Sequence, residues 1–179
     1  MLSKEQALLV LVDVQGKLAK IVHDSESLIE NLIKLIQGLR ILRVPIIWVE
    51  QYPEGLGSTI EEVAQYLTGI KPIRKISFNA CENETFIQAV KETGRQQLLV
   101  AGIETHICVY QTSIGLKKMG YEVQVVTDAV SSRTLANKEI GLEKMKSAGV
   151  AWTSVETVLF ELMKIAEGDH FKQIIKLLK

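Results

Sequence analysis

Short apolar runs, several of them apolar on nearly every residue, alternate along this chain with segments in which apolar positions recur every three or four. The first kind reads as strand and the second as amphipathic helix. Strands are expected over 7–13, 45–51, 72–76, 97–102, 122–127 and 150–155. "ALLVLV" (7–12) and "QLLVAGI" (97–103) leave no polar face, so both sides of the sheet must be covered, as in a parallel sheet between helices. Helices are expected over 27–42, 83–93, 107–119 and 137–148. The first opens on Ser27-x-x-Glu30, a capping-box spacing, and carries Leu28, Leu32, Leu35, Ile36 and Leu39 on one face. The other three each run into a glycine (Gly94, Gly120, Gly149) and then a strand; Lys117 and Lys118 suit the helix end before Gly120. Helix, glycine, strand, repeated, predicts an α/β fold: a doubly wound, mainly parallel six-stranded sheet with helices on both faces, Rossmann-like and three-layered. A last amphipathic segment begins at Asp169 and carries Phe171, Ile174, Ile175 and Leu178; it either completes the core or meets another subunit. No repeat, linker or low-complexity tract divides residues 1–179, which read as a single domain.

Charge and composition narrow the partners. With 21 Lys and Arg against 21 Asp and Glu, no excess of positive charge exists to displace counterions from phosphates, so no nucleic-acid partner is expected. Net neutrality also removes a barrier to self-association, and a homo-oligomer is expected. The first apolar run is too short to span a bilayer and lacks a cleavage site, so neither membrane nor export is expected. Two cysteines without an export signal read as free thiols in a cytoplasmic protein.

In such sheets the ligand site lies beyond the carboxyl ends of the strands. Asp13 and Gln15 follow the first, Glu50, Gln51 and Tyr52 the second, and Arg74 and Lys75 lie near the third. Glu104, Thr105, His106 and Cys108 follow the fourth, and Asp128, Ser131, Ser132 and Arg133 the fifth. Asp13 is either a turn-capping aspartate or a carboxylate of raised pKa fit for a general base. Cys108 is either a small buried hydrophobe or, in the first turn of a helix, a thiol pushed towards thiolate. Lys75 is by default a solvated lysine; beside a thiolate and a carboxylate it would hold both charges. His106 is only two residues from Cys108, so the two side chains point in different directions along a helix. Cys81, among Glu82 and Glu84, reads as unreactive. Gly55 and Gly57 read as a mobile loop over the site. No His-x-x-Glu-His, Cys-x-x-Cys or Asp-x-His-x-His spacing occurs, so neither metal nor other cofactor is expected.

"LLVLVDVQ", "RKISFNA" and "VAGIETHICV", in this order, resemble the isochorismatase-like cysteine hydrolases, and "EQYPEGLGST" is similar to a small subgroup without an assigned substrate. The resemblance implies a catalytic triad of Asp13, Lys75 and Cys108. It further implies a cis peptide between Ile103 and Glu104 and an oxyanion hole of the Glu104 and Cys108 N–H groups. Where family nicotinamidases carry Asp-x-His-x-His, this chain reads "EQYPEGLG", which counts against nicotinamide as substrate. Together these imply a metal-independent hydrolase acting on a small amide or related carbonyl through a thioester. Gln15, Leu18, Tyr52, Phe78 and Thr105 are expected on the pocket wall. Vinyl-ether hydrolysis with Asp13 as acid, and a non-catalytic binding protein on the same fold, are the alternatives.

Overall fold

The computed structural model describes residues 1–179. All six expected strands form: β1 (Ala7–Val12), β2 (Ile46–Gln51), β3 (Ile73–Lys75), β4 (Gln97–Ile103), β5 (Glu122–Ser131) and β6 (Ala151–Thr153). They pair in the order β3-β2-β1-β4-β5-β6, every pair parallel. Nine α-helices connect or flank them: α1 (Leu18–Ile21), α2 (Ser25–Ile41), α3 (Pro53–Leu56), α4 (Glu61–Ala64), α5 (Glu84–Glu92), α6 (Tyr110–Lys118), α7 (Leu135–Ser147), α8 (Val155–Met163) and α9 (Gly168–Leu178).

Every residue of β1 is buried, and the pleat shares them between two cores. Ala7, Leu9 and Leu11 join the apolar faces of α2 and α8 with Ile174 of α9; Leu8, Val10 and Val12 join Phe86 and Val90 of α5, Leu116 of α6 and Met145 of α7. Polar alternation is therefore absent from β1 because neither face meets water. Ile174 is fully buried and Phe171 and Leu178 pack beside it, so α9 completes the core of its own chain.

Among the boundaries that differ from expectation, two have a cause visible in the structure. α2 begins at Ser25 behind a left-handed Asp24, whose carboxylate accepts the Ser27 hydroxyl, so the Ser27–Glu30 box does not form. β5 continues to Ser131 because its pairing with β4 is broken and resumes: Val100 pairs with Val125, then Gly102 with Val130. The residues between form the irregularity, and Asp128 there accepts the Val155 N–H at the start of α8, a structural task.

Candidate active site

β1 lies between β2 and β4 where the winding reverses, and the crevice beyond this point is where such a sheet holds its ligand. Just past the tips of β1, β2 and β4, three residues adopt left-handed backbone without being glycine: Asp13 (φ 55°), Tyr52 (φ 37°) and Glu104 (φ 58°). Each such conformation costs on the order of 1–3 kcal/mol. Gly102, at φ 127°, lets β4 approach β1, since a Cβ there would lie 2.0 Å from the Val12 carbonyl oxygen.

The Ile103–Glu104 bond is trans, contrary to expectation, as no peptide bond in the chain is cis. Glu104 reverses the chain instead, through its left-handed φ and ψ of 58° and 63°. One π-turn follows over Thr105–Val109 before α6. The Glu104 carbonyl accepts the N–H groups of Ile107 at 2.8 Å and Val109 at 3.4 Å, the second closing the wide five-residue ring. This turn carries Cys108, buried, over the strand tips.

Lys75, at the end of β3, has a side chain with no exposure. Its ammonium donates to Asp13 Oδ2 at 2.8 Å, Gln51 Oε1 at 2.7 Å and the Ser77 carbonyl at 3.2 Å, so its three protons are all engaged. The default of a solvated lysine gives way to a buried ion pair with a carboxylate 62 residues distant in the chain.

Asp13 Oδ1 is buried without a donor. The Cys108 thiol is its neighbour: the two groups perturb each other's titration, although no well-formed hydrogen bond joins them at rest. Burial raises the Asp13 carboxyl above its ordinary value, against the opposing pull of Lys75. Burial also raises the Cys108 thiol, the Asp13 charge adds to this, and Lys75 offsets only part. The resting group is therefore a thiol facing a strengthened base, where helix-start reasoning pointed to a thiolate. Desolvation of the buried sulfur outweighs the dipole of the turn. Cys81 is likewise pushed up to about 12, by burial and then Glu82.

These groups open on a cleft of about 330 Å³ walled by Leu18, Leu56, Phe78, Ile103 and Ile107. Its polar lining is Asp13, Gln51, Glu104, Cys108 and Arg133. A larger groove of about 760 Å³ runs past Cys81 and α5, but it holds no carboxylate–cation pair, so chemistry and not size marks the site.

Of the expected wall residues, Leu18 and Phe78 line the cleft. Gln15 does not: fully buried, it bridges the Gln51 backbone and the Gly57 carbonyl, at 2.6–3.0 Å. Tyr52 is half exposed, with its ring against Gly55, and Thr105 is fully buried in the first position of the π-turn. Their sequence positions are right for the crevice, but none of the three is among the residues that line it. Glu50, by contrast, turns back to hold Thr59 through its N–H and hydroxyl, both at 2.8 Å. Gln15 and Glu50 thus pin residues 57–59, while Leu56 just before them reaches the cleft. His106 turns away to Ser132 Oγ at 3.0 Å. The Glu104–Arg133 pair was not anticipated as a unit: the guanidinium reaches Glu104 Oε2 at 3.1 and 3.2 Å and the Arg133 N–H reaches Oε1 at 3.1 Å. Its signal was only that both residues stand at strand ends.

The sequence model described as "Isochorismatase domain" matches residues 7–157. "Isochorismatase domain-containing protein 2" of Danio rerio is 36% identical over 178 residues, covering 99% of this chain and 89% of its own length. The structure described as MAR1 ribonuclease from Caenorhabditis elegans superposes with a TM-score of 0.92 at 31% identity, covering 99% of this chain and 91% of that one. The YcaC gene product of Escherichia coli, described as an octameric hydrolase of unknown specificity, superposes at 0.89 with 27% identity, covering 99% and 94%. By sequence along its length and by fold, the chain belongs to the isochorismatase family.

Proposed function

We propose that the protein is a cysteine hydrolase that cleaves a small amide or related carbonyl without a metal, with Asp13, Lys75 and Cys108 as its triad. Family members are generally hydrolases. The observation that carries the finer reading is the unpartnered Asp13 Oδ1 beside the Cys108 thiol, with Oδ2 fixed by a fully buried Lys75. Oδ1 takes the thiol proton as sulfur attacks the carbonyl carbon, and the N–H groups of Glu104 and Cys108 receive the oxyanion. The carbonyl re-forms, the C–N bond breaks, and Asp13 gives its proton to the leaving amine. Water then donates a proton to Asp13, attacks the thioester and frees the acid, and the thiol recovers its proton from Asp13.

The walls favour a small apolar acyl group, and the cleft's charges cancel in pairs, Asp13 with Lys75 and Glu104 with Arg133, which favours an uncharged substrate. The ribonuclease description belongs to the Caenorhabditis elegans protein; this balanced cleft offers no phosphate-binding cluster in support of it. The test is ammonia release from a panel of small amides and carbamoyl compounds. A hit should be lost by 10³-fold or more, to about that order, in Cys108→Ala. It should survive exhaustive chelation, because both cleft carboxylates are already held by protein cations. A metal-rescued activity indifferent to Cys108 would sink the reading.

We further propose a single-domain, cytoplasmic homo-oligomer. With α9 spent on its own core, support comes from the zero net charge and the octameric YcaC. Light scattering at micromolar concentration should give a mass of at least two chains; a monomer overturns it.

A further inference from the structure

Glycine is the poorest helix former after proline, yet Gly141 stands buried in the interior of α7. A Cβ built there would lie 2.6 Å from the Thr105 carbonyl carbon and 2.7 Å from both the Thr105 oxygen and the His106 nitrogen. All three are backbone atoms of the π-turn that carries Cys108, so no side-chain rotation could make room. Ordinary carbon contacts fall at about 3.5–4 Å. The turn and the residue before it are also tied to the segment leading into α7: His106 Nδ1 meets Ser132 Oγ at 3.0 Å, and the Arg133 N–H reaches the Glu104 carboxylate at 3.1 Å. The turn is thus held both by a bare patch of helix and by two tethers.

From this contact we infer that Gly141 is a positioning residue for the thiol: it lets α7 seat against the π-turn backbone and so fixes the distance from Cys108 to Asp13. The catalytic consequence rests on the proposed role of Cys108; the geometric one does not. An added methyl must push turn and helix apart by about 1 Å, a misplacement that can cost about 10²-fold in rate.

The test is Gly141→Ala, read first by the pH profile of Cys108 alkylation with iodoacetamide, with Cys81 as internal reference. The Cys108 profile should shift by half a unit or more, about threefold in thiolate fraction, while that of Cys81 stays put. On an amide identified in the panel, kcat should fall about 10–100-fold with KM within about threefold. Leu142→Ala, which loosens the same helix without adding an atom against the turn, should lower the melting temperature and leave the Cys108 profile alone. If Gly141→Ala does not fold, Ser132→Ala/Gly141→Ala frees the turn from one tether and should fold with the shifted profile. A folded variant with the native Cys108 profile overturns the inference, as does failure of both variants to fold, which would make Gly141 a scaffold residue alone. Turnover retained in Cys108→Ala would remove the catalytic reading and leave the thiol measurement to decide the geometry.

Discussion

Asp13→Asn should abolish turnover, by about 10³-fold or more, while making Cys108 easier to ionise. The two effects have opposite signs because the carboxylate has two relations to the thiol. In the proposed mechanism it accepts the proton as a base; as a buried negative charge it opposes the thiolate, next after burial among the causes that raise the thiol. Removing the charge leaves the Lys75 ammonium as the dominant local field, which favours sulfur anion. Iodoacetamide should label Cys108 of the native protein slowly at neutral pH and faster through the alkaline range. In Asp13→Asn the same rise should come at lower pH. An unchanged profile would mean that the carboxylate does not face the thiol, and a shift to higher pH would mean that its proton acceptance dominates even in alkylation.

Lys75→Met should destabilise the fold by about 3–5 kcal/mol, because it strands a carboxylate that is nearly as buried as the lysine. Asp13→Asn/Lys75→Met should recover that loss and be neutral, or more stable than the native protein by up to about 1–4 kcal/mol, though inactive. The single variant should also show a distinct pH dependence. The folded Asp13 pKa lies above its unfolded value even with Lys75 present, and loss of the cation moves it further up. The native state then binds the proton more tightly than the unfolded one, so stability is greatest below the unfolded pKa and falls as pH rises towards the folded one. Urea unfolding of Lys75→Met at pH 4 and pH 8 should therefore show the smaller loss at pH 4. Equal losses at both, or a double variant no better than the single, would remove the buried pair as a cost of function.

The sheet was legible because its central strands are apolar on both faces and its helices end on glycine. The pattern of β5 breaks off before its end, because Thr127 and Asp128 fall where its pairing with β4 shifts between Val100 and Gly102. α8 was not anticipated: Val155–Met163 is nearly continuous with the apolar residues of the strand before it, and no glycine separates them. The convergence of Asp13, Lys75 and Cys108 was readable as three residues at three strand ends. What sequence spacing does not encode is the desolvation that keeps Cys108 a thiol, or the direction of a side chain at a strand tip. Hence position along the chain points to Gln15, Tyr52 and Thr105 for a wall that Leu56, Ile107 and Arg133 supply instead. The environment of Glu104 is equally non-local, since its carboxylate pairs with Arg133, 29 residues on.

The central place of β1 sets a timetable for synthesis. Its partners on one side, Ile46–Val49, follow soon after it, but those on the other side are Gln97–Gly102. At about 5–20 residues per second, a ribosome takes on the order of ten seconds to reach them. During that interval a strand apolar at every position presents an open hydrogen-bonding edge, which is a template for the same strand on a neighbouring nascent chain. The first half should thus be the aggregation-prone part of the product and the part that most needs a chaperone. Asp13 and Lys75 lie before β4 and Cys108 after it, so a chain released before β4 is made carries the buried ion pair without the thiol.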